Sequence, residues 1–175
     1  MPEWKSFTFG EDGEATPTAE APTPASTNPA MEPDEYAAKW GTEVSEVTIA
    51  RIEAVLEGDG LPHGSSEFIA FTQLEDIPFQ VHREPADAPW AQIETRILPV
   101  GEGHTEASLQ AIANRWNTEH LQPTVFPIES EDGWILVAAS RFFVGEGLSD
   151  RQIHAMLRRG LIIGVSAAQE VPSFF

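Results

Sequence analysis

Histidines and carboxylates are the side chains of this protein best suited to chemistry, and their spacing limits what they can do. His63, His82, His104, His120 and His154 are scattered along the chain. None falls into an HExxH or comparable ligand spacing, so they read as surface or strand histidines and no metal site is expected. Glu129, Glu131 and Asp132 form an acidic run. Paired carboxylates do acid–base work when an apolar cleft holds them. Here Ser130-Glu131-Asp132-Gly133 reads as a hairpin tip, which leaves them solvated. Gly58-Asp59-Gly60 and Gly101-Glu102-Gly103 are too short and too acidic to cradle a phosphate. The serines lack partners in a recognised arrangement, and there is no Gly-x-Ser-x-Gly elbow. We therefore assign no catalytic, cofactor-binding or metal-binding residue. The pattern favours a binding or regulatory domain. A small hydrolase using pocket carboxylates is the rival from another class, and a structural subunit of a complex is a third.

Two features carry more information. The first is Asn114-Arg115-Trp116-Asn117. Trp116 falls on the apolar face of a predicted helix, which makes it a core residue. Asparagine is a poor residue inside a helix. Two in four positions suggest that Asn114 and Asn117 satisfy the helix end or a neighbouring loop, with ligand contact as the alternative. The second is Arg141, which interrupts an apolar strand. A buried arginine needs a carboxylate or carbonyl partner, and Glu94 is a candidate. Alternatively, Arg141 marks a sheet face where a client's carboxylate docks.

Charge excludes some partners. The net charge is −18, and lysine occurs only at Lys5 and Lys39. Binding nucleic acid or an anionic membrane surface requires clustered cations, so neither is expected. The absence of cysteine rules out disulfides and thiolate chemistry. No apolar run approaches the ~20 residues of a membrane helix, and the start of the chain lacks a signal-peptide pattern. A cytoplasmic location follows as the expectation.

The elements that must position these residues can be read in order. Residues 1–33 form a Pro/Ala/Thr-rich extension that cannot bury enough apolar surface to order itself, and we read it as disordered. Within it, Trp4-Lys5-Ser6-Phe7-Thr8-Phe9 is either a frayed start or a short strand that docks. A single domain spans 34–175. Its first helix is expected to be capped by Thr42, with Ser45, Ile49, Ile52 and Leu56 on one face. Strands follow near Phe68–Phe71, over Ile77–Arg83 and over Trp90–Leu98; the last two alternate cleanly. Thr105 and Glu106 open a second helix bearing Leu109, Ile112, Ala113 and Trp116. A fourth strand, Thr124–Glu129, contains Pro127 and should be an edge or bulged strand. A fifth covers Trp134–Val144. Ser149 and Gln152 form a capping box for the last helix. The order is helix, three strands, helix, two strands, helix. This is the pattern of an α+β two-layer sandwich, an antiparallel sheet with helices on one face.

The fifth strand is apolar on both sides. Trp134, Leu136, Ala138 and Phe142 point one way, and Ile135, Val137, Ala139 and Phe143 the other. One helix layer covers one face only. The other needs a dimer mate, the N-terminal segment, a bound client, or the domain's own loops. The expected partners are therefore a protein or peptide client and a second copy of the chain. Ile135, Val137, Phe143, Arg141 and Glu94 are the candidate contact residues.

Asn114-Arg115-Trp116-Asn117, the strand pair around Asp132-Gly133, the long strand to Phe143 and Leu148-Ser149 at the last helix together resemble the YbjN family, labelled a bacterial sensory transduction regulator. The resemblance covers about Val44 to Val171. It implies a fold similar to that of type III secretion chaperones, small acidic dimers that bind extended client segments, and it implies no enzymatic activity. The Pro-rich extension departs from that pattern.

Overall fold

Alternating strands and amphipathic helices bury their apolar sides against one another, and the computed structural model shows how this chain does so. It describes residues 7–9, 15–17, 39–83, 85, 87–99 and 103–175. The chain divides into two units, Met1–Pro33 and Asp34–Phe175. In the first, β1 (Phe7–Phe9) and β2 (Ala15–Pro17) pair antiparallel. The rest of the extension, including the expected disorder and the fate of Trp4, lies outside the described residues.

The second unit runs α1 (Ile49–Gly58), β3 (His63–Ser65), β4 (Ile69–Leu74), β5 (Ile77–His82), β6 (Trp90–Ile97), α2 (Glu106–Glu119), β7 (Thr124–Ser130), β8 (Gly133–Phe143) and α3 (Asp150–Glu170), then a 3₁₀ turn at Val171–Phe174. The fold class is the expected α+β sandwich. Six strands form one antiparallel sheet in the order β3-β4-β5-β6-β8-β7. The last strand in the chain is thus an interior one, between β6 and β7. β7, which carries Pro127, lies at an edge.

The alternation decides which face each strand buries. On β5 Phe79 and Val81 are buried, and on β6 so are Ala91, Ile93, Thr95 and Ile97. Thr95 is satisfied there by donating to the Pro78 carbonyl at 2.8 Å. Two apolar clusters form under the helices. One joins Ile52, Val55 and Leu56 of α1 to Phe79, Ile93 and the first part of α3. The other joins Leu109, Ala113 and Trp116 of α2 to Leu136, Ala138, Ala167 and Val171. α3 and β8 reach both clusters. Two glycines let α3 approach the sheet closely: a Cβ on Gly160 would lie 2.5 Å from Ile93 Cδ1, and one on Gly164 would lie 2.4 Å from Phe79 Cε1.

Three expectations require correction. α1 begins at Thr48, not Thr42; the Thr48 hydroxyl accepts from the Arg51 N–H. The Arg51 guanidinium donates to the carbonyls of Ser45, Glu46 and Leu148. It also pairs with Asp150 at 2.6 Å. Those bonds hold the preceding segment extended, where Ser45 forms a β-bridge with Leu148. Gly147, at φ +80°, makes that crossing possible, since a Cβ there would strike the Ser45 carbonyl. The sheet also contains one strand more than expected. β3 is His-Gly-Ser, with no apolar residue to reveal it, and is held by pairing to Ala70–Thr72. The third correction concerns the outer face of β8: Ile135 and Val137, expected to be open, are 6 % and 1 % exposed. The chain itself closes them off, and they belong to neither helix-side cluster.

Candidate functional site

The face of the sheet away from the helices collects most of the candidate residues. Gln80 and His82 on β5, Trp90, Gln92, Glu94 and Arg96 on β6, and Ile135, Val137, Arg141 and Phe143 on β8 share it by strand alternation. Cross-strand register sets Gln92 opposite Arg141 and Trp90 opposite Phe143.

These pairings build a polar chain across three strands. The Arg141 Nε donates to Gln92 Oε1 at 2.7 Å. The Gln92 amide donates to Glu94 Oε2 at 2.6 Å. Glu94 Oε1 lies 3.2 Å from His82 Nε2. Burial alone would push the Glu94 carboxyl up. The close approach of His82 and the hydrogen bond from Gln92, with the nearby Arg96 charge, outweigh it and hold the carboxyl below the ordinary glutamate range. Arg141 and Glu94 are therefore linked, but through Gln92. Arg141 is exposed, contrary to the expectation of a buried cation. Among the described residues Gln92 is its hydrogen-bond partner, and its guanidinium carbon stands 5.9 Å from the Trp90 ring centre.

Apolar groups flank this chain. Phe143 is 66 % exposed and Trp90 45 %. Two depressions adjoin Arg141. One of about 250 Å³ is lined by His82, Trp90, Gln92 and Arg141. The other, of about 400 Å³, lies toward β7 and includes Leu121, Phe126, Ala139 and Ser140 in its wall.

The remaining candidates serve the scaffold. Trp116 is buried; its indole N–H donates to the Pro123 carbonyl at 2.9 Å, and His120 stacks on it at 3.6 Å. Asn117 does not cap its helix. Its Nδ2 donates to the Val125 carbonyl at 2.7 Å and its Oδ1 accepts from the Val125 N–H at 2.9 Å, so one side chain stands in for a neighbouring strand along β7. Asn114 accepts from Gln110 on the exposed helix surface. Asp59, from the first Gly-Asp-Gly, ends α1 and contacts the buried His154 at 2.7 Å. The second, at 101–103, lies largely outside the described residues. Glu129, Glu131 and Asp132 are exposed around the β7–β8 turn. Among the described residues no cluster of three His, Asp or Glu side chains could hold a metal ion, and no helix is long and apolar enough to cross a membrane.

Sequence reasoning missed Gln92, whose amide organises the polar chain; only its place opposite Arg141 on a neighbouring strand gives it away. It also missed Arg83, a buried arginine that donates to the carbonyls of Val47, Ala88 and Trp90.

A family model described as "Putative bacterial sensory transduction regulator", YbjN, matches residues 48–171. The chain belongs to the YbjN family. Its fold is also that of a solved structure titled "Crystal structure of YbjN, a putative transcription regulator from E. coli". The two share 13 % identity with a TM-score of 0.57, over 75 % of this chain and 93 % of that one. No curated protein matches the sequence. The matched region runs from the cap of α1 to the end of α3 and so contains the whole outer face described above.

Proposed function

We propose that this YbjN-family chain is a non-enzymatic regulatory domain that acts by binding a protein or peptide client on the outer face of its sheet. The observation that carries the reading is the juxtaposition of exposed Trp90 and Phe143 with a pre-oriented Arg141 on that face. Exposed aromatics beside an arginine are the composition of binding hot spots. A net charge of −18 with two lysines opposes direct contact with nucleic acid, so a regulator of this composition works through a protein. The same acidity and the absence of cysteine suit a cytoplasmic, chaperone-like role. With Ile135 and Val137 already covered, a client explains the remaining exposed groups better than the homodimer expected from the sequence.

The test is affinity capture from the native host with three forms of the full chain. These are the parent, the double variant Arg141→Glu/Phe143→Ser, and Ile162→Ser, which alters an exposed residue of α3 on the helix side. Circular dichroism first establishes that each is folded. A protein held by the parent and by Ile162→Ser, and lost by the double variant, supports the reading. A protein held equally by all three, or none held by any, overturns it.

A further inference from the structure

β8 is longer than the strand that flanks it. β7 pairs with it from Ser130 opposite Gly133 to Thr124 opposite Ala139, and stops. β8 continues through Ser140, Arg141, Phe142 and Phe143, which pair with β6 on their other side. On the β7 side, among the described residues, these four have no strand partner. Within such a segment alternate residues turn both N–H and C=O toward the open side. A ledge of unpaired backbone of this kind is a template for an added strand. The 400 Å³ depression sits where β7 would continue, between Leu121-Gln122 and Ser140-Arg141. Ser140 is buried, and its hydroxyl has no hydrogen-bond partner.

We propose that this ledge takes an extended peptide as a seventh strand, with an aspartate or glutamate opposite Arg141 and an aromatic or aliphatic residue opposite Phe143. The proposal rests on the client-binding reading above and names the client's chemistry. Backbone pairing supplies affinity, and side-chain pockets at alternate positions supply specificity. A peptide running in the direction of β7 presents, in order, an apolar residue at Phe143, one residue inward, an acid at Arg141, and one more inward. Arg141 is suited to that acid: Gln92 fixes its Nε, and a guanidinium still has two Nη groups with which to take a carboxylate in bidentate fashion. The acid must be a single one. The rest of the chain is strongly negative and repels an acidic run.

The probe is a fluorescein-labelled hexapeptide, Thr-Phe-Thr-Glu-Val-Thr, blocked at its C-terminus and titrated with the full chain by fluorescence anisotropy. Two relatives accompany it, one with lysine in place of the glutamate and one N-methylated on alternate amides. The acidic peptide should bind. The lysine peptide, the N-methylated peptide, and the acidic peptide on Arg141→Glu should each bind at least tenfold more weakly. The lysine peptide should regain affinity on Arg141→Glu. Equal binding of the N-methylated peptide overturns strand addition, and indifference to Arg141→Glu overturns the acid's place.

A second measurement follows amide hydrogen exchange at residues 140–143 in the complex captured from the host. Slowed exchange there supports the ledge. A captured partner that leaves those amides unprotected overturns the ledge and spares the client reading. Peptide binding with no captured partner does the reverse. A dimer that protects the same amides and excludes the peptide assigns the ledge to a second copy and overturns the proposal.

Discussion

Replacing Asn117 by alanine should destabilise the domain by about 2–4 kcal/mol. The side chain makes two hydrogen bonds to one residue, at 2.7 and 2.9 Å, and each is worth about 1 kcal/mol net. Val125 is fully buried, so removing the amide also strands its N–H and C=O. Unsatisfied buried groups cost about 1–3 kcal/mol, less whatever water recovers at this sheet edge. Urea unfolding followed by tryptophan fluorescence measures the difference. Asn117→Asp sharpens the test. Its carboxylate still accepts from the Val125 N–H, but sets a second acceptor against the Val125 carbonyl where Nδ2 had donated. That raises the folded-state pKa of the new carboxyl above its unfolded value of about 3.9. Stability is then fully present below the unfolded pKa and is lost as pH rises through the folded one. The deficit relative to the parent should therefore be large at pH 7 and shrink toward pH 4. A loss below about 0.5 kcal/mol for Asn117→Ala, or a deficit for Asn117→Asp that does not change with pH, would refute the strand-mimic role.

Other expectations follow from the same packing. Trp116→Ala should cost about 3–5 kcal/mol in the same urea assay, since it empties the α2 cluster and frees the Pro123 carbonyl. Gly164→Ala should destabilise by about 1–3 kcal/mol through contact with the Phe79 ring, less the ~1 kcal/mol that alanine gains in a helix. Calorimetric melting would show it, and a raised Tm would mean that α3 can lift freely from the sheet. Glu94 has a folded pKa below its unfolded value, so the stability it contributes is present above the ordinary glutamate range and lost as pH falls through the folded value. Glu94→Gln should flatten the acid limb of a stability-versus-pH curve, and an unchanged limb would show that the carboxylate's hydrogen bonds are dispensable.

Local rules that act through one element were legible in the sequence. Alternation placed β5 and β6 and sorted their faces, and a continuous apolar run between turn signals placed β8. Thr105 and Ser149 announced α2 and α3, because a cap and the residue it bonds are three positions apart. What failed depended on partners distant in sequence. Thr42 and Thr48 are equally good caps; the choice is made by Arg51, which binds carbonyls at Ser45, Glu46 and Leu148. β3 exists by pairing alone and carries no apolar signal. Trp116 was readable because burial follows helix periodicity. The target of Asn117 was not, because the bond crosses from a helix to a strand. On the outer face, Glu94 was only one candidate partner for Arg141, and their strands are neighbours in the sheet. The two-residue offset that inserts Gln92 between them became visible only with the register.

The position of β8 also governs how the chain comes into being. It lies inside the sheet, between β6 and the edge strand β7, yet is the last strand to be synthesised. Until residues 133–143 leave the ribosome, β6 is a bare edge eight residues long, and Phe79 and Ile93 await the helix that follows. Folding must hold this half-sheet open across a long sequence separation, which slows it and prolongs exposure to aggregation. Gln92, Glu94 and Arg96 alternate along that waiting edge. The polar residues that later shape the outer face thus act first as gatekeepers for the nascent chain.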